Sequence, residues 1–96
     1  MAKGYWMIAY RSVSDPEALA RYAALAVPVI QSKGGRILAR GNPAKVYEAA
    51  AANRLVIIEF DSVEHAIATY ESPEYEAARK LLEGAVERDV RMISGI

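Results

Sequence analysis

Strict alternation marks the start of the chain. In "GYWMIAYR", residues 4–11, Trp6, Ile8 and Tyr10 fall on one side and Tyr5, Met7 and Ala9 on the other, which predicts a strand bounded by Gly4 and Ser12. The period then lengthens. Leu19, Tyr22, Ala23, Ala26, Val29 and Ile30 recur at helical spacing behind "SDPE", where Asp15 suits the N-cap, Pro16 the first helical position and Glu17 the positive end of the helix. Pro28 lies inside this run and predicts a kink, and Gly34 offers a left-handed stop. "RILARG", residues 36–41, predicts a second strand that continues through "KVYE", residues 45–48, after a bulge or turn at Gly41-Asn42-Pro43. "EAAAAN" is too short for a stable helix and predicts a hairpin loop centred near residue 51. "RLVIIEF", residues 54–60, is the clearest strand in the chain. A helix capped by Asp61 or Ser62 follows, with Val63, Ala66, Ile67 and Tyr70 on one face. In "TYESPEYEAARKL" Ser72, Pro73 and Glu74 form a second start signal, and Tyr75, Ala78, Leu82 and Ala85 point inward behind it. "DVRMISGI", residues 89–96, predicts the last strand.

The order is βαββα(α)β over one domain, residues 1–96: the split βαβ pattern of an α+β, ferredoxin-like fold with an antiparallel sheet. Right-handed crossovers place the helices on one face of that sheet. A sheet open to water on its other face alternates to polar residues there, and this one does not. Tyr5, Met7 and Ala9, then Leu55 and Ile57, then Ile93 make the second face apolar as well. The expectation is a homodimer through the sheet face, two sheets closing into a dimeric α/β barrel.

Composition agrees with a covered second face. Apolar and aromatic residues make up 53% of the 96 residues, without counting glycine, against about 45–50% with glycine in ordinary chains. Twelve basic and twelve acidic residues cancel, which argues against a nucleic-acid partner. There is no cysteine, so disulfides, thiolate nucleophiles and Cys-ligated metals are excluded. No run approaches the ~20 apolar residues of a membrane span, and the first residues lack a signal-peptide pattern. A cytoplasmic protein without a membrane partner is expected.

Glu59 is the residue most out of place, a carboxylate inside an apolar strand. Buried, it would have a raised pKa suited to general acid or base work; alternatively it pairs with an arginine near the strand end. The hairpin places Arg40 within a rung or two of it, as an ion pair that could orient a small anion, although a bulge leaves open whether the two share a face. Tyr10, Tyr70 and Tyr75 are candidate substrate contacts, since buried phenols need hydrogen-bond partners and give a cavity a few polar points. His65, the only histidine, is the default proton shuttle but sits off the apolar face of its helix. With one histidine there is no metal-ligand set, and nucleotide and hydrolase motifs are absent, so no cofactor is expected.

Five segments, "KGYW", "DPEALARYAA", "GGRILARG", "VIIEF" and "YESPEYEAARKL", together resemble a bacterial family known only as domain of unknown function 1330. The resemblance implies membership of the dimeric α/β-barrel superfamily, which includes cofactor-free monooxygenases, muconolactone-type isomerases, haem-degrading enzymes and simple ligand binders. That range leaves function to be argued from the site. Ala49 to Ala52 stand where such proteins often carry an aromatic and prolines, which removes an expected ligand contact from that loop. Two readings follow. One is a homodimeric cofactor-independent monooxygenase or isomerase with a cavity for an oxygenated or aromatic molecule, Glu59 moving a proton and Arg40 holding the substrate. The other is a non-catalytic binding or structural module whose interior is filled by side chains.

Overall fold

The computed structural model describes residues 2–96. Over these residues the chain forms β1 (Gly4–Val13), α1 (Pro16–Ser32), β2 (Arg36–Gly41), β3 (Leu55–Phe60), α2 (Val63–Tyr70), α3 (Pro73–Arg79), a 3-10 turn (Lys80–Leu82) and β4 (Val86–Ser94). The sheet runs β2-β3-β1-β4, with every neighbouring pair antiparallel. This is the ferredoxin-like βαββαβ arrangement, with the second helical segment broken in two.

Each helix starts where its cap chemistry directs. The Asp15 carboxylate accepts from the amides of Glu17 and Ala18, both at 3.2 Å. Of the two candidates for the next cap, Ser62 serves, accepting from the His65 amide at 3.0 Å. Ser72 accepts from the Tyr75 amide at 3.3 Å, so α3 begins at Pro73 as its sequence predicts. α1 runs through Pro28 to Ser32, and Gly34 takes a positive φ of 90° just beyond it. Gly35 then passes close under the helix end, where a Cβ would stand 2.5 Å from Ile30 Cγ2.

The core lies between the helices and one face of the sheet. Trp6, Ile8 and Tyr10 of β1 and Val56, Ile58 and Phe60 of β3 are buried there with Tyr22, Ala26 and Ile30 of α1. Trp6 is fully enclosed, and its indole donates to the Ala66 carbonyl at 2.8 Å, which satisfies its one polar atom. Tyr75, Ala78, Leu82 and Ala85 are all buried, although the last two lie beyond α3, in the 3-10 turn and the turn that follows.

Four details of the sequence reading need correction. β2 stops at Gly41, and residues 42–54 form a loop, so "KVYE" does not extend the strand. Gly41 faces Leu55, which centres the hairpin on residue 48 rather than 51. The bulge lies at Leu38, between the Ile37 and Ala39 pairings, instead of at Gly41-Asn42-Pro43. β4 begins at Val86, three residues before the predicted start, because Gly84 at a φ of 72° turns the chain back early.

Candidate functional site

α1 packs on α3 and the 3-10 turn as well as on the sheet. A cavity of about 380 Å³ opens between α1 and the β2–β3 side of the sheet. Its walls are apolar: Leu19, Ala23, Ala26, Val27 and Ile30 from the helix, and Ile8, Ile37, Val56 and Ile58 from the strands. Four residues give it polarity: Tyr10, Tyr22, Arg40 and Arg54.

The bulge in β2 explains how Arg40 comes to line this space. Ile37 opposes the buried Ile58, and three residues on, in a regular strand, a side chain would face the other way. The extra residue at Leu38 restores the parity, so Arg40 opposes Val56 on the helix side. Arg54 is fixed from the other end of the hairpin. The Tyr10 amide donates to the Arg54 carbonyl at 2.9 Å, and the Asn53 side-chain amide donates to the Tyr10 carbonyl at 2.7 Å, which ties the loop end to β1. Among the described residues neither arginine forms an ion pair.

Behind Tyr10 and Tyr22 lies a polar cluster that the sequence reading did not single out. The Tyr22 and Tyr75 hydroxyls are hydrogen-bonded to each other in the interior. Arg88 of β4 donates to both at 3.4 Å, and its guanidinium stands 5.3 Å from the Tyr22 ring centre and 5.8 Å from that of Tyr10. Burial pushes the Tyr22 phenol far above its ordinary value, with Tyr75 adding to the shift and Arg88 opposing it, so the hydroxyl stays protonated at neutral pH. For Arg88 burial works against the charge, but the surrounding phenols outweigh it and the pKa is raised. A signal for Arg88 was present: Val86, Val90 and Met92 alternate toward the core, and position 88 shares their face.

The structure separates the predicted site residues. Glu59 and Arg40 do not pair. Arg36 opposes Glu59 in the register, and its Nε donates to the carboxylate at 3.0 Å; the Tyr5 hydroxyl donates to the other oxygen, also at 3.0 Å. Glu59 therefore sits on the open face of the sheet, away from the cavity. The bond from Arg36, then that from Tyr5, holds its pKa below the ordinary value, the reverse of the raised value expected for a buried acid or base. His65 lies at the start of α2, exposed, with its ring bonded to the Lys33 carbonyl and beside Phe60, so it joins α2 to the end of α1 outside the cavity. Tyr70 and Tyr75 pack against Trp6, with ring centres 5.7 and 5.0 Å away, beneath the break between α2 and α3. Only Tyr10 and Arg40 of the six reach the cavity.

The open face itself carries Tyr5, Met7, Ala9, Leu55, Ile57 and Ile93 in facing register. Met7, Leu55 and Ile93 are 39%, 40% and 57% exposed. Ion pairs rim it: Arg36 and Lys3 with Asp61, and Arg11 and Arg91 with Asp89.

Fold and sheet define the class, a small ferredoxin-like α+β protein. The chain belongs to the family described as Domain of unknown function (DUF1330), whose model matches residues 3–96. No curated protein matches it. Among solved structures it is similar to a protein of unknown function from Rhodopseudomonas palustris, with a TM-score of 0.75, 18% identity, and coverage of 99% of this chain and 83% of the other. A dimeric ferredoxin-like protein of unknown function from Thermobifida fusca matches with a TM-score of 0.66, 13% identity and coverage of 97% and 91%. A provisionally named antibiotic biosynthesis monooxygenase from Nitrosomonas europaea matches with a TM-score of 0.61, 15% identity and coverage of 100% and 93%. At these identities the likeness speaks for the fold alone. No helix among the described residues is long and apolar enough to cross a membrane.

Proposed function

We propose that the protein binds a compact, mostly apolar molecule bearing an oxygen anion, one per chain, in the cavity between α1 and the β2–β3 hairpin. The observation that carries this reading is a space of about 380 Å³ with apolar walls and two arginines that form no ion pair among the described residues. Ligand pockets run from roughly 300 to 1,000 Å³, and an interior filled by side chains would leave no such void. An aromatic carboxylate fits the chemistry: its ring lies against Ile8, Ile37 and Val56, and Arg40 and Arg54 take the carboxylate. Tyr10 and the protonated Tyr22 supply an aromatic wall.

In this reading Glu59 serves the assembly rather than the ligand. Two chains associate through the open faces of their sheets, whose apolar centre and charged rim suit a self-complementary contact. The dimeric description of the Thermobifida fusca protein supports this arrangement. A cofactor-independent oxidation or isomerisation extends the reading. The monooxygenase name of the Nitrosomonas europaea protein supports it, and Tyr10 and Tyr22 are then the phenols that line the ligand's space. A thermal-shift screen of benzoates and phenols tests the binding. Benzoates are expected to raise the melting temperature, and Arg40→Ala and Arg54→Ala each to reduce the gain. A screen in which no compound shifts it, or in which both variants respond like the native chain, overturns the proposal.

A further inference from the structure

On the far side of the tyrosine cluster, between α3 with its 3-10 turn and β4, lies a second concavity of about 220 Å³. It is lined by Arg79 and Arg88 together with Tyr70, Glu83, Val86 and Val90. Its hydrogen-bonding groups are unbalanced. The Arg79 guanidinium lies 5.1 Å from the Tyr70 ring centre, and its Nε is shut off from solvent with no acceptor among the described residues. A buried donor of this kind costs free energy unless a water or an ion completes it.

Arg88 is no better matched. Its partners are the Tyr22 and Tyr75 hydroxyls at 3.4 Å, which are already bonded to each other. Neither arginine forms an ion pair among the described residues, and Glu83, the one acid lining the cleft, is exposed and stands beyond ion-pair distance of both. Two positive charges with no ion pair among the described residues thus line one space several times the ~30 Å³ share of a water molecule.

We infer that this cleft is a binding site for a small oxyanion, a phosphate or a carboxylate, held between Arg79 and Arg88 and separate from the α1 cavity. The tyrosine pair holds Arg88 from behind while leaving its charge unneutralised. Tyr70 holds the Arg79 plane from below. The oxyanion accepts from the terminal guanidinium nitrogens of Arg79 and from Arg88, forming charge-assisted bonds that water or a phenol matches poorly.

Inorganic phosphate and acetate, each titrated into the labelled full chain against chloride at matched ionic strength, test this through the backbone amide resonances of residues 82–90. A saturable shift from either oxyanion, absent with chloride, is expected. Arg79→Gln should weaken it about tenfold or more, the usual consequence of losing one charged hydrogen bond. Glu83→Gln should strengthen it, and Arg40→Gln, in the other cavity, should leave it unchanged. Arg79→Gln removes only a half-buried surface group, so the test does not depend on how the fold tolerates changes at Arg88. Shifts that chloride reproduces, or that survive Arg79→Gln, overturn the assignment.

Discussion

Arg40 lines the cavity because β2 holds one residue more than its partner strand. Before that bulge Arg36 stands opposite Glu59, and on the other side of β3 Tyr5 does the same. The pKa of Glu59 is lowered on folding, so its ionised form favours the folded state. That contribution is present above the unfolded carboxylate value of about 4.3 and is lost as pH falls through the lowered folded value. Glu59→Gln should therefore unfold at lower urea concentration than the native chain at pH 7, and the gap should close in acid. A gap that persists or widens in acid contradicts the assignment. Tyr22 makes a second prediction at this scale. Removing its hydroxyl strips Tyr75 and Arg88 of a buried partner, so Tyr22→Phe should cost about 1–3 kcal/mol in a urea titration; an unchanged midpoint would mean that the cluster is not coupled to folding. Sequence patterning put Tyr10 on the same side of β1 as Trp6 and Ile8 but set Arg40 beside Glu59, because the hairpin was centred too late and the register also depends on a bulge that no residue type announces. Arg88 was hidden between Glu87 and Asp89, where local charge masks the alternation of Val86, Val90 and Met92.

At the scale of elements, helix starts were the most legible features, since caps act on their own neighbours. Ser72, Pro73 and Glu74 end one helix and begin another, and the break seats Tyr70 and Tyr75 over Trp6. Ser72→Ala should lower stability by about 0.5–2 kcal/mol, measured by chemical denaturation. Within the loop over residues 42–54, "EAAAAN" was legible as loop, whereas the alternating "KVYE" looks like strand and nothing local says that it lacks a partner. Close approach is equally invisible in one dimension. A Cβ on Gly4 would come within 2.4 Å of the Ser62 backbone, where β1 passes under the start of α2. Gly4→Ala is predicted to destabilise by roughly 1–3 kcal/mol, as overpacking generally does, and a neutral result would show that the α2 cap yields freely.

As a whole the molecule is a slab of 34 × 33 × 16 Å, helices on one side and an apolar sheet face on the other. That two-faced pattern was readable from period-2 alternation alone, whereas the cavity was not, because it arises from how α1 sits relative to the hairpin. Sedimentation equilibrium should find a dimer at micromolar concentration, and Ile57→Lys, which puts a charge at the centre of the face, should shift it to monomer. A monomeric native chain would remove the proposed interface. Isothermal titration calorimetry with benzoate and salicylate tests whether the cavity takes a ligand, comparing the native chain with Ala23→Phe, which fills the space from α1. Saturable binding of one molecule per chain, abolished by Ala23→Phe, is the predicted result; the absence of saturable heat with both compounds, or equal affinity in the filled variant, would contradict it.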